Sequence, residues 1–84
     1  MDREQFFYVY ILKSLAKPET YYTGFSEDLR DRLQHHNNGS VPHTKKHRPW
    51  RLKTAIAFTD RGQALEFERY LKSSSGRAFA KKRL

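Results

Sequence analysis

Cysteine is absent from the 84-residue chain, which excludes disulfide staples and cysteine-held zinc and fits a reducing compartment. Long apolar runs are missing as well. The start, Met1-Asp2-Arg3-Glu4-Gln5, is charged and leads into only seven apolar or aromatic residues before Lys13. Neither a signal peptide nor a membrane span is expected there, and the cytoplasm is the expected compartment. Repeats, linkers and low-complexity tracts are lacking too. Acidic side chains are scarce: nine Asp and Glu face seventeen Lys and Arg, a formal net charge of +8. On so small a surface this makes a strong positive field whose natural partner is a polyanion, nucleic acid before all others. Ribosomal and membrane-surface proteins share the feature, so charge alone does not decide. The apolar share of 37% supports one real core, against global disorder. A single domain over residues 1–84 is expected.

Phe6 to Lys13 (FFYVYILK) is a strand rich in aromatic and β-branched residues. Phe7, Val9 and Ile11 form one face; Phe6, Tyr8, Tyr10 and Leu12 form the other. A strand apolar on both faces belongs in the middle of a sheet. Ser14 to Glu19 forms a hairpin loop, Thr20 to Thr23 a second strand ended by Gly24. Ser26 followed by Glu27 and Asp28 predicts a capped helix start, with Asn38-Gly39 as its stop. Residues 39–50 form a basic loop, in which Trp50 packs beneath. Leu52, Thr54, Ile56 and Phe58 alternate with polar or small residues and predict one face of a third strand. Asp60 and Gln63 form a capping box for a second helix to about Ser74, closed by Gly76, and residues 77–84 add a short basic helix. The order is ββαβα: an α+β domain with a small three-stranded, mainly antiparallel sheet flanked by helices.

Turned as wheels of about 100° per residue, both main helices carry charged groups beside their apolar stripes. On the first, Leu29 and Leu33 define the stripe, and Arg32 and His36 lie at its edge. An arginine stem covering apolar surface explains this as well as chemistry does. On the second, Ala64, Phe67 and Leu71 form the stripe with Glu68 next to them. A carboxylate there needs a partner: a salt bridge to Lys72 one turn on, or a cation such as Mg²⁺. Four tyrosines crowd two adjoining strands, where packing alone accounts for at least two. Lys45, Lys46, Arg48, Lys72, Arg77, Lys81, Lys82 and Arg83 are candidate phosphate contacts, or simply a solvated basic surface.

Tyr8-Val9-Tyr10, Tyr22-Thr23-Gly24 and Leu29-Arg30-Asp31-Arg32-Leu33, in this order and spacing, resemble the signature of the GIY-YIG nucleases. The likeness continues through His36-Asn37-Asn38-Gly39, Thr44-Lys45, Arg48-Pro49-Trp50 and Ala64 to Lys72. It covers nearly the whole chain and is nearest to the stand-alone bacterial subgroup. Tyr8 departs from the first glycine of the first triplet and Thr23 from the isoleucine of the second. Phe25 stands where DNA-repair members carry a lysine.

The resemblance implies that Tyr10 and Tyr22 are the active-site tyrosines, Arg32 the catalytic arginine, His36 a histidine near the tyrosine, and Glu68 the single ligand of one Mg²⁺ or Mn²⁺. It implies hydrolysis of phosphodiesters in DNA, possible RNA binding aside, in repair or processing. Tyr10 is the preferred proton acceptor if a cation, among them a protonated His36, lowers its pKa; His36, titrating near neutrality, is the alternative. With no second domain after Leu84, little sequence preference is expected, and nicking or structure-selective cutting by a monomer or weak homodimer. A binding module without chemistry and a small RNA-associated structural protein are the rivals.

Overall fold

The computed structural model describes residues 5–84; the charged stretch at 1–4 lies outside the described residues. Strands β1 (Phe7–Ser14), β2 (Tyr21–Ser26) and β3 (Trp50–Phe58) form one antiparallel sheet in the order β2-β1-β3. Helix α1 (Leu29–Asn38) connects β2 to β3 by way of a 3₁₀ turn at Lys45–His47, and α2 (Arg61–Leu71) and α3 (Ser74–Arg83) follow β3. The architecture is the expected α+β, with the basic C-terminal segment as its third helix. Among the described residues no helix is long and apolar enough to cross a membrane.

β1 is central, as its two apolar faces require. Val9 and Ile11 pack with Ala64 and Leu71, bordered by Phe7, Phe25, Phe58 and Phe67, on the side covered by α2 and α3. Tyr10, Leu12 and Trp50 form the opposite cluster, against Leu29 and Leu33 of α1. Each such fully buried side chain contributes about 1.5–3 kcal/mol. Ser14, itself buried, ends β1: its Oγ accepts from the Ala16 and Lys17 amides and donates to the His47 carbonyl.

Four local expectations are corrected. Gly24 does not end β2; the strand runs on to Ser26, with Gly24 paired opposite Tyr10. Ser26 does not cap α1. Its Oγ is occupied by the Asp28 amide and carbonyl, and Asp28 caps instead, accepting from the Asp31 amide at 3.0 Å. The third strand does not present one face: a register shift opposite Ile11 and Leu12 pairs Leu12 with Leu52 but Ile11 with Thr54. This bulge sends Leu52 to the α1 side while Ile56 stays opposite Val9 on the other. Finally, Gly76 does not close α2. It lies in the first turn of α3, capped by Ser73, where a Cβ would fall 1.8 Å from the Tyr70 carbonyl oxygen. Only glycine permits so close a corner between α2 and α3.

Candidate active site

The pairing of β1 with β2 sets Tyr10 opposite Gly24 and Leu12 opposite Tyr22, so both phenols rise from the α1 side of the sheet, 6.4 Å apart between ring centroids. Tyr10 lies across its neighbour: a Cβ on Gly24 would sit 2.4 Å from the Tyr10 hydroxyl. The glycine is therefore space for a phenol, which explains its place inside a strand.

α1 lays His36 onto the two rings, with centroids 5.9 Å from Tyr10 and 4.9 Å from Tyr22. His36 is completely buried, the deepest residue of its helix, and not at the stripe's edge as the wheel predicts. Nε2 is 2.9 Å from the Tyr10 hydroxyl and Nδ1 2.8 Å from Thr44 Oγ1. Thr44 Oγ1 in turn reaches the Val41 carbonyl, which can only accept. The network thus assigns one direction: Tyr10 O–H donates to Nε2, Nδ1–H donates to Thr44, and Thr44 donates to Val41. Trp50 fixes this floor. Its Nε1 donates to the Thr44 carbonyl at 2.8 Å, and Asn37 bonds its backbone amide and carbonyl.

Burial pushes the Tyr10 phenol up to about 12, against the opposing effect of the Arg32 guanidinium. Burial also pushes His36 down to about 4, helped by repulsion from Arg32 and His35. Two expectations fall here. His36 does not titrate near neutrality, and it is not protonated to lower the pKa of Tyr10. Arg32, only partly exposed, sits against both phenols, and the polar interaction with the Tyr10 hydroxyl holds its pKa above the ordinary value.

Glu68 comes from α2, on the far side of the sheet, and meets this group at the β2 edge. Its Oε2 lies 3.1 Å from Lys72 Nζ, which also stands 5.9 Å above the Tyr22 ring. The carboxylate is close enough for its charge to oppose ionisation of Tyr10. Tyr10, Tyr22, Arg32, His36 and Glu68 are thus gathered from four elements. Among the described residues no three His, Cys, Asp or Glu side chains cluster, and both nitrogens of His36 are engaged. A single, partly exposed carboxylate suits a hydrated Mg²⁺ or Mn²⁺, which keeps most of its waters; it does not suit zinc, which wants three or four protein ligands.

The basic candidates divide. Lys72, Arg77 and Lys81 line one groove, to which Lys82 does not contribute. Lys45, Lys46 and Arg48 belong to the loop around the 3₁₀ turn, where Arg48 donates to the Lys45 carbonyl and covers Gly39. Thr44 was not singled out as a site residue. It belongs to the stretch Thr44-Lys45 of the family likeness but stands in a loop without periodicity, and only the fold shows it to be the partner of His36.

Residues 6–83 match the family model described as the GIY-YIG catalytic domain. The structure-specific endonuclease subunit SLX1 of Candida dubliniensis is 41% identical over 73 residues, 79% of this chain and 26% of that protein. UPF0213 protein SSP2268 of Staphylococcus saprophyticus is 36% identical over 69 residues, 81% of this chain and 82% of its own length. UPF0213 protein YazA of Bacillus subtilis is 33% identical over 66 residues, 77% and 65%. The chain spans about a fifth to a quarter of the length of the SLX1 subunits it matches.

Proposed function

The chain belongs to the GIY-YIG family, and on that premise we propose that it is a metal-dependent endonuclease that hydrolyses phosphodiester bonds in DNA during repair or processing. The observation that supports this most is the meeting of two phenols, a guanidinium and a lone carboxylate at the β2 edge, in a chain of net charge +8. A binding module accounts for the positive charge but not for a lone carboxylate set beside two phenols and a guanidinium.

Arg32 receives the scissile phosphate, its planar fork matching two non-bridging oxygens. Tyr22, partly exposed above His36, orients the attacking water. As the water attacks, its proton passes to the Tyr10 hydroxyl while the proton of Tyr10 moves to His36 Nε2, 2.9 Å away. No free phenolate has to form, which answers the high pKa of Tyr10; the imidazolium formed instead is disfavoured by burial, so it is transient, and His36 returns the proton to Tyr10 after the step. Nδ1–H stays on Thr44, which fixes the tautomer. Glu68 would hold a single Mg²⁺ or Mn²⁺, which would supply electrostatic stabilisation of the negative charge that builds up during phosphodiester hydrolysis. The SLX1 relatives are named structure-specific, and a preference for DNA structure over DNA sequence is proposed here too. Phosphate contacts by Lys45, Lys46, Lys72, Arg77, Lys81 and Lys82 make affinity fall steeply with salt.

Incubation of supercoiled plasmid and branched duplexes with Mg²⁺ or Mn²⁺ tests this. Nicked products that disappear with chelator and with Glu68→Ala are expected. Absence of any metal-dependent cut, or equal cutting by the variant, would leave a DNA-binding module without chemistry.

A further inference from the structure

On the sheet face opposite α1, between the β1–β2 hairpin and the α2–α3 corner, lies a groove of about 830 Å³. Its floor is apolar, with Ile11 and Leu71. Tyr22 and Lys72 line it and also belong to the candidate active site, so the groove starts where the scissile phosphate sits. From there its wall carries Arg77 and Lys81 on α3, both exposed. Among the described residues neither has a carboxylate within ion-pair distance. Lys53, a fourth cation, is engaged by the backbone oxygen of Leu84. Tyr21, 44% exposed, forms part of the opposite wall. Its hydroxyl donates to Glu19 at 3.3 Å, and Glu19 is the one non-glycine among the described residues with positive φ, at 56°.

The size is that of a small-ligand cleft, which holds a nucleotide or two and not a duplex. A row of cations beside an exposed aromatic ring is how proteins seat one unpaired strand: phosphates follow the charges and a base stacks on the ring. A duplex would need neither the depth nor the ring.

We propose that this groove receives the unpaired strand of a branched DNA, its phosphates on Lys72, Arg77 and Lys81 and a base on Tyr21. The proposal rests on the nuclease assignment for the point where the strand enters, but it is tested by binding alone. Fluorescence anisotropy without divalent metal compares a blunt duplex with the same duplex carrying a single-stranded arm of about ten nucleotides. The arm should tighten binding by about tenfold or more. Arg77→Gln with Lys81→Gln should weaken binding to both DNAs but cost the armed one about tenfold more than the blunt one, so that the gain disappears. Tyr21→Ala should lose part of the gain and Tyr21→Trp keep it. All three side chains are exposed, so these variants leave the core intact; matching thermal melts check this. Equal affinity of the wild type for both DNAs overturns the proposal, as does a double variant that weakens both alike. Metal-dependent nicking without arm preference ends this proposal and spares the nuclease; arm preference without nicking does the reverse.

Discussion

Acid should unfold this protein through one buried imidazole. His36 is wholly enclosed and titrates at about 4, against about 6.5 for a free histidine. The groups facing it are Tyr10 and Tyr22 from the sheet, Thr44 from the loop, and Arg32 and His35 from its own helix. None is a carboxylate that would welcome a proton. The unfolded chain takes up a proton below about pH 6.5, whereas the folded chain refuses it until about pH 4. Stability from the neutral imidazole is therefore complete above pH 6.5 and drains away as pH falls toward 4. Going from about pH 7.5 to about pH 4.5 costs about 2.5 kcal/mol on these values, and for a chain of this size lowers Tm by about 10–20 °C. Circular dichroism melts at the two pH values measure it, with His36→Asn as reference, because other titrating groups contribute alike to both proteins. The wild type should lose the extra increment and the variant should not. Equal losses in the two proteins, or an NMR titration of His36 centred near 6.5, would refute the reasoning.

Three further outcomes follow from the site. Gly24→Ala drives a methyl group into the Tyr10 hydroxyl, 2.4 Å away; about 1–3 kcal/mol of stability should be lost in chemical denaturation, and nicking with it. Glu68→Gln should abolish metal-dependent nicking, yet melt within a few degrees of wild type without metal, because the pair with Lys72, whose lysine end is exposed, contributes about 1 kcal/mol. Arg32→Lys keeps the charge but loses the fork, and kcat/KM on plasmid should fall by about 10²-fold or more with salt-dependent binding little changed.

The fold was legible because its signals are local and agree: two apolar faces on β1, Asn38-Gly39 as a stop, Asp60 as a cap. The two misplaced glycines share a cause, that the feature serving a neighbour looks like the feature serving itself. Gly24 resembles a turn residue but makes room for Tyr10 on the next strand. Gly76 resembles a stop but admits the carbonyl of Tyr70. The bulge in β3 is invisible because Leu52, Thr54, Ile56 and Phe58 alternate without a break. For the site, the wheels marked Arg32, His36 and Glu68 as unusual, and the family likeness tied them to Tyr10 and Tyr22. Depth was beyond reach: a wheel gives the angle of His36, not the loop that closes over it with Thr44 and Trp50.

That closure makes stability and chemistry share residues. α1 has only Leu29 and Leu33 as large apolar side chains, and its deepest residue is an imidazole. The helix is held only while each polar atom in the chain Tyr10–His36–Thr44–Val41 has its partner, and no buried side-chain polar atom among the described residues is left without one. His36→Leu alone gives α1 a better apolar face but leaves the buried Tyr10 hydroxyl without its acceptor, at about 1–3 kcal/mol, and the Thr44 hydroxyl with Val41 alone. Replacing all three together, Tyr10→Phe, His36→Leu and Thr44→Val, removes both hydroxyls along with the network. The triple variant should therefore be more stable than the single one at neutral pH, should lack the acid-sensitive increment of His36, and should not nick DNA. Denaturant titrations of both variants decide it: a triple variant less stable than His36→Leu would mean that the three residues are not one hydrogen-bonded unit.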